Sequence, residues 1–426
     1  MTNDLKAKSG STVTWPLYLL FFTSVDTVLF GTNSNKTFLF VPRIVAFFLI
    51  VLLPFLKTES NNRKMTGGGI LAFICMVFLL LMSSFVNQDP LETTLSRTLT
   101  LISSIVIVGC YSDREYFTAL DRFLFLISVC ALVTEFFAYF FPQVISDLPV
   151  ITNTVKHKIY VYFFGAIEKS NLSRDLIRAN GIFWEPGSFS IYLLIGIIYQ
   201  LFGRSNINVL HLLVYVIALI FTFSTTGYIA FAVVLLGFTF SKRNDALSKR
   251  VRGVLISSTV LFVLISILLD STTIQEFVFN KLFSGTSSAT TRYSSLFNGM
   301  KVAISHPILG VGNSYRQYMA EYVVDSVFNN GGTSITNTIV AQFACYGFPF
   351  GIFFLIGTLV FFKRWSRNNF DWIVLCVCIV LAYSGERFFS FLPFVFTFYG
   401  FCDTNPNQKA LPNRKTDETL PLQSKA

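Results

Sequence analysis

Charge is scarce in this chain. Only 13% of its 426 residues are Asp, Glu, Lys or Arg, against 53% hydrophobic, and the mean hydropathy is +0.60. That balance excludes a soluble globule, in which about a quarter of residues are charged. Also missing is any basic cluster interleaved with base-stacking aromatics, so nucleic acid is not an expected partner despite a formal net charge of +10. The cation excess fits the cytoplasmic bias of Lys and Arg in membrane proteins. Cysteine is absent from the long polar connections, since all seven fall within or at the ends of apolar runs. This argues against a disulfide framework, and Cys376 and Cys378 lack the second ligand pair that a zinc site needs. No internal repeat is sustained. The apolar stretch after Thr14 has no small-residue cleavage site, so it reads as a retained helix rather than a signal peptide.

What the chain has is long apolar runs, including much of its 49 Phe, which suit lipid-facing helices. With about twenty apolar residues per bilayer crossing, the runs give about twelve transmembrane helices. They are Trp15–Phe30, Phe38–Leu56, Gly69–Val86, Thr93–Tyr111, Ala119–Phe141, Ser188–Phe202, Ile207–Phe223, Thr225–Phe240, Val254–Leu269, Asn337–Phe362, Phe370–Ser384 and Phe388–Cys402. Around Ser224-Thr225-Thr226-Gly227 the pattern fits either a tight hairpin or one broken helix. The expected organisation is a cytoplasmic segment over 1–14, a polytopic membrane domain over 15–402 and a disordered cytoplasmic tail over 403–426. With the N-terminus inside, Lys57, Arg63, Lys64, the basic run Lys242–Arg252 and Lys363, Arg364 and Arg367 are all cytoplasmic, as the positive-inside rule requires. Two long connections, 142–187 and 270–336, then face outwards. The expected fold class is an all-α integral membrane protein, multi-pass, with both termini cytoplasmic.

Both long connections mix aromatics with charges, which favours function over linker. The first holds Lys156, Lys158, Lys169, Arg174 and Arg178, cations that run against the topological bias. It ends on Arg178-Ala-Asn-Gly-Ile-Phe-Trp184-Glu185-Pro-Gly187, a broken polar segment where the chain re-enters lipid. Irregular backbone at membrane depth persists only where it is buried in protein or lines a cavity. The second connection holds Arg292, Lys301, the turn His306-Pro-Ile-Leu-Gly-Val-Gly312, and Arg316; Arg292 to Ser305 reads as a short amphipathic helix. Asp26, Arg43, Arg97, Glu135, Glu386 and Arg387 lie in or beside apolar runs, all towards the outer side. Interfacial snorkelling accounts for each alone; together they suggest an outward-facing polar cavity. An anion at that depth suits arginine, whose planar fork binds phosphate bidentately. Neither long connection holds an Asp-x-Asp pair, so no metal and no cofactor is expected.

These motifs resemble, in order, those of the bacterial O-antigen polymerase and ligase superfamily: Arg178 to Gly187, the break at Phe223 to Gly227, Thr291-Arg292, the His306 to Gly312 turn, and Asn337 opening a helix that contains Tyr346-Gly347. The resemblance runs from roughly Phe125 to Gly357 and implies a GT-C-like membrane glycosyltransferase. Such enzymes move a glycan from polyprenyl pyrophosphate to an acceptor hydroxyl at the outer face of the bacterial inner membrane. Arg178 and Arg292 match the family's essential cation positions. Where the ligase branch has His-Asn this chain has Thr336-Asn337, which tilts the expectation towards a polymerase acting on lipid-linked donor and acceptor, with a possible chain-length regulator protein as partner. Glu185 is the candidate base or the ion-pair partner of Arg178. Arg174, Trp184, Lys301, His306, Arg316 and Asn337 are the candidate substrate contacts. The alternatives are a ligase using another acceptor and a flippase of lipid-linked oligosaccharide.

Overall fold

The computed structural model describes residues 15–22, 48–50, 52, 67–141, 143, 147–152, 158–162, 165–169, 177–241, 248–249, 251–253, 256–257, 287–312, 336–385 and 391–402. Helices α1 to α4 cover Trp15–Phe22, Gly67–Val86, Leu91–Cys110 and Asp113–Phe140. Strands β1 to β4 follow at Val150–Thr152, Lys158–Tyr162, Gly165–Lys169 and Ile177–Gly181. Helix α5, Pro186–Ile198, runs on into a π-turn over Tyr199–Gly203. Then come α6 (Val209–Phe221), α7 (Thr225–Phe240), α8 (Ser287–Ser305), α9 (Thr338–Trp365), α10 (Asn369–Gly385) and α11 (Leu392–Phe401). Among the described residues, five helical stretches are long and apolar enough to cross a membrane. The chain is a mostly helical integral membrane protein. The expected spans Phe38–Leu56 and Val254–Leu269 lie almost wholly outside the described residues, so the count of twelve is not tested.

Helix ends depart from the apolar runs where polar caps set them. Helix α4 starts at Asp113, six residues before the apolar run, because Ser112 and Glu115 form a reciprocal capping box. Two acidic residues, Asp113 and Glu115, then sit at the positive end of its dipole. The break near Gly227 separates two helices: Phe223 takes φ +48°, and Ser224 caps α7 by accepting from the Gly227 amide.

The all-α expectation needs correcting in the first long connection. Its strands form a four-stranded antiparallel meander in the order β1-β2-β3-β4. Lys158-Ile-Tyr-Val-Tyr162 is a β-branched and aromatic run, suited to a pleated, half-buried surface. Gly165 packs the sheet onto α4, since a Cβ there would lie 2.7 Å from the Thr134 hydroxyl. Ile167 of β3 buries against Ala138 of α4. Strands of three to five residues leave no signal on a twenty-residue ruler.

Kinked α9 is the central post, touching α2, α8, α10 and α11. Gly347 has φ +84° and breaks the helix two residues before Pro349. Pro349 has no N–H to give the Cys345 carbonyl, and the Ser83 hydroxyl of α2 supplies that bond at 2.8 Å. The His306–Gly312 turn fills the rest of the kink. Phe348 N donates to Pro307 O at 2.7 Å, and Val311 N donates to Ala344 O at 2.9 Å. Gly310, at φ +63°, fits because a Cβ would fall 2.5 Å from the Ala344 carbonyl oxygen. The two glycine-bearing motifs of the sequence are thus the two halves of one joint.

Candidate functional site

Strand β4 delivers Arg178, which pairs across from Glu168 of β3. The side chain is half-buried, and its Nε donates to the Thr222 carbonyl at 3.2 Å, at the break between α6 and α7. That bond fixes the plane of the guanidinium. Two residues on, Asn180 is completely buried, and neither its Oδ1 nor its Nδ2 has a partner among the described residues. Past Gly181, Phe183 anchors the turn by stacking on Tyr192 at 4.4 Å, leaving Trp184 and Glu185 half-buried. Glu185 stands at the N-cap of α5, but its side chain does not cap the helix.

A chain of contacts runs from here across the same end of the bundle. Ser190 of α5 donates to the Ser224 hydroxyl at 3.1 Å. Thr226 of α7 abuts Gly385 at the end of α10, where a Cβ would meet the Thr226 methyl at 2.7 Å. Next to Gly385, Ser384 accepts from Asn337 Nδ2 at 3.3 Å, while Asn337 Oδ1 caps α9 through the Val340 amide at 3.0 Å. Thr336 N donates to Ser295 Oγ of α8 at 2.7 Å. Arg292 lies three residues before Ser295, one turn earlier on the same face of α8, and is half-buried.

This end therefore gathers the N-termini of α5, α7 and α9 together with the elements that carry Arg178 and Arg292. Each helix N-terminus contributes roughly half a positive charge from its unpaired amides. Helix N-termini at the end where the Arg178 guanidinium reaches the Thr222 carbonyl make an environment suited to an anion.

The remaining candidates are placed differently. Lys301 is exposed and lies nine residues after Arg292, about half a turn round α8, so the structure does not bring the two together. His306 is half-buried in the turn that docks on α9; its amide donates to Val302 O and its carbonyl accepts from Gly310 N, each at 3.0 Å. Arg174 and Arg316 lie outside the described residues, as do Asp26, Arg43, Glu386 and Arg387. Glu135 is buried on α4, and its Oε1 has no partner among the described residues.

Residues 210–355 match the family model for O-antigen ligase. Over that stretch, about a third of the chain, the protein is similar to the O-antigen ligase and polymerase superfamily. The matched stretch opens on α6 and closes within α9, taking in the α6–α7 break, Arg292, the glycine joint and Asn337. The Arg178 segment precedes it. Members of this superfamily are glycosyltransferase-like membrane enzymes. No curated protein matches the chain.

Sequence reasoning missed Asn180, although the motif contains it. Read as a strand, the motif would have put Asn180 on the same face as Arg178, two residues away. It also missed Thr222, whose carbonyl is an acceptor that no residue type advertises.

Proposed function

We propose that the chain is a polysaccharide polymerase that transfers a glycan from polyprenyl pyrophosphate to a hydroxyl of a lipid-linked repeat unit. The observation that carries this reading is Arg178, oriented by Thr222 at the end of the bundle where three helix N-termini meet. Leaving-group departure builds negative charge on the diphosphate and positive character on the sugar. Preorganised donors stabilise the first, and do so more strongly in a site of low dielectric. Arg178 and Arg292 are the clamp, acting without a metal. The Arg178 fork binds diphosphate oxygens bidentately.

Glu185 takes the proton of the attacking hydroxyl, the role a carboxylate has towards water in inverting glycosidases; inversion at the anomeric carbon follows. Its place in the Arg178 motif, half-buried at the start of α5, supports this. Asn337 shapes the site by joining α9 to Ser384. Thr336 offers substrate a buried hydroxyl that has no partner among the described residues. Arg174, Trp184, Lys301, His306 and Arg316 complete the proposed substrate contacts. The site faces the periplasm, with both termini in the cytoplasm of a bacterial inner membrane. Donor and acceptor are both lipid-linked, and a separate protein sets chain length.

The description of the matched family favours a second reading, a ligase that transfers finished polymer to another acceptor. One experiment separates them. Arg178→Ala or Arg292→Ala in the producing strain should collapse the surface glycan ladder to a single repeat unit. Loss of attachment with full-length lipid-linked polymer would mean a ligase. No glycan at all on the outer face would mean a flippase.

A further inference from the structure

Helix α8 has its polarity turned inside out. Apart from Val302, the residues it buries against the bundle are small or polar: Ser294, Ser295, Asn298, Gly299 and Ala303. Those it exposes include Phe297 at 57% and Ile304 at 65%, followed by Ile308 at 68% in the turn after the helix. Phe297, Lys301 and Ile304 are spaced by four and three residues, so they form one outward row. A helix in water hides its large apolar side chains. One that faces lipid does the reverse, packing through small residues. The spanning helix α2 shows that pattern: Gly69, Ala72, Ser83 and Ser84 are among its buried residues, and Ile74, Phe78 and Phe85 are exposed. The contacts of α8 fix its depth. Ser295 accepts from Thr336 N, and Pro307 O accepts from Phe348 N, so α8 and the first half of α9 advance side by side. Residues 348–365, the second half of α9, are by themselves about the length of a bilayer crossing. That leaves the first half and α8 at the boundary opposite Lys363 and Arg364, the outer one by the positive-inside rule. The foot of α8 meets the end of α2 at this level, where Asn87 Nδ2, one residue past that span, donates to Gly310 O at 3.3 Å.

We propose that α8 is an interfacial helix docked on the outer leaflet, with Phe297, Ile304 and Ile308 set among phospholipid chains just below the headgroups. Helices of this kind sink their apolar face about 5–10 Å into the leaflet. Lys301 fits the row, because its stem lets the ammonium snorkel to headgroup phosphates. The occupant is lipid rather than a water-soluble partner for two reasons. The polar side of α8 is the buried one, and its apolar row ends at the level where the exposed Phe85 and Val86 of α2 stand. Docked in this way, α8 holds Arg292 at the depth of a lipid phosphate. The inference rests on the polarity and position of α8, and it stands whether or not the chain transfers glycan.

The test replaces Phe297 or Ile304 by the photoreactive residue benzoylphenylalanine in the full chain, purified into nanodiscs of phosphatidylethanolamine and phosphatidylglycerol. Phe78, exposed in the middle of α2, is the lipid-facing reference, and Asn206, exposed in the connection after the π-turn, is the aqueous one. After irradiation, mass spectrometry counts phospholipid adducts. Labels at 297 and 304 should give yields within about twofold of the label at 78 and about tenfold above that at 206. Yields no higher than at 206 overturn the proposal and leave this face to water or to a protein. Should a labelled chain fail to fold, F297W exchanges one ring for another and gives an independent reading. Lipids brominated on their acyl chains should quench its added emission as strongly as that of F78W. No added quenching in F297W overturns the proposal equally.

Discussion

Helix α4 carries a buried carboxylate near each end, and the two are treated in opposite ways. Asp121 receives Gln200 Nε2 at 2.6 Å and the Tyr215 hydroxyl at 2.8 Å on one oxygen, and Arg204 Nη1 and His211 Nδ1, each at 3.0 Å, on the other. Gln200 passes the order on by accepting from the Asn208 amide at 2.9 Å. Fourteen residues later, about 21 Å along the axis, Glu135 is buried with a bare Oε1, and Asn180 on the overlying sheet has no side-chain partner among the described residues. Thr336 Oγ1 and Gln342 Oε1 are bare in the same sense near the start of α9. A low dielectric strengthens a completed network and penalises an incomplete one. The Asp121 cluster therefore reads as a lock that fixes α4, the π-turn and α6 relative to one another. The sheet end and the start of α9 hold buried polar groups that no described residue completes.

Breaking the lock should give the largest effect. Asp121→Ala leaves Arg204 facing an uncompensated pocket and strips His211, Gln200 and Tyr215 of their acceptor. Removing one partner of such a group costs about 3–5 kcal/mol, so thermal melting in detergent should fall steeply and glycan yield should fall only in proportion to folded protein. An unchanged melting curve would erase the contrast. Arg178→Lys probes the other end. Lysine keeps the charge but loses the fork, and the loss of one preorganised donor costs about a hundredfold or more in rate. Melting should stay within about 0.5 kcal/mol of wild type. Full transfer by the lysine variant would leave a point charge as sufficient.

Asn180→Leu sharpens the contrast because stability and activity should move in opposite directions. Leucine branches at the same carbon as asparagine and has nothing to desolvate, so removing a bare amide should recover about 1–3 kcal/mol, less what its greater bulk costs in packing. Transfer assayed with purified protein and lipid-linked repeat units should drop at the same time. A lower melting temperature with intact transfer would make Asn180 a structural residue.

The helices were legible because about twenty consecutive apolar residues fit little besides a bilayer crossing, and the starts missed were those set by caps, as at Ser112. The sheet was not legible to a reading that looked only for spans. Arg178 could be singled out because a cation, an anion and an indole cluster at a membrane edge. The role of the glycines could not. Gly310 and Gly347 lie 37 residues apart, and only their meeting, with φ of +63° and +84° against each other's backbone, shows that those motifs form a joint. Bare and satisfied polar groups look alike in a sequence: Gln200 and Gln342 are the same residue in similar apolar surroundings, and their partners alone tell them apart.

Tyr215→Phe is the mildest test. Its hydroxyl bonds both the backbone carbonyl of Asp121, at 2.6 Å, and a carboxylate oxygen. Phenylalanine removes that donor, yet the carboxylate keeps Gln200, Arg204 and His211, so the net cost should be about 1–2 kcal/mol. The ring already packs against Gly196, where a Cβ would lie 3.0 Å from it, so no cavity opens. Turnover per folded molecule should not change, because the far end of α4 positions helices and touches no reacting atom. A Tyr215→Phe protein that melts like the wild type but transfers more slowly would tie the lock to the chemistry, and the division of labour between the two ends would fail.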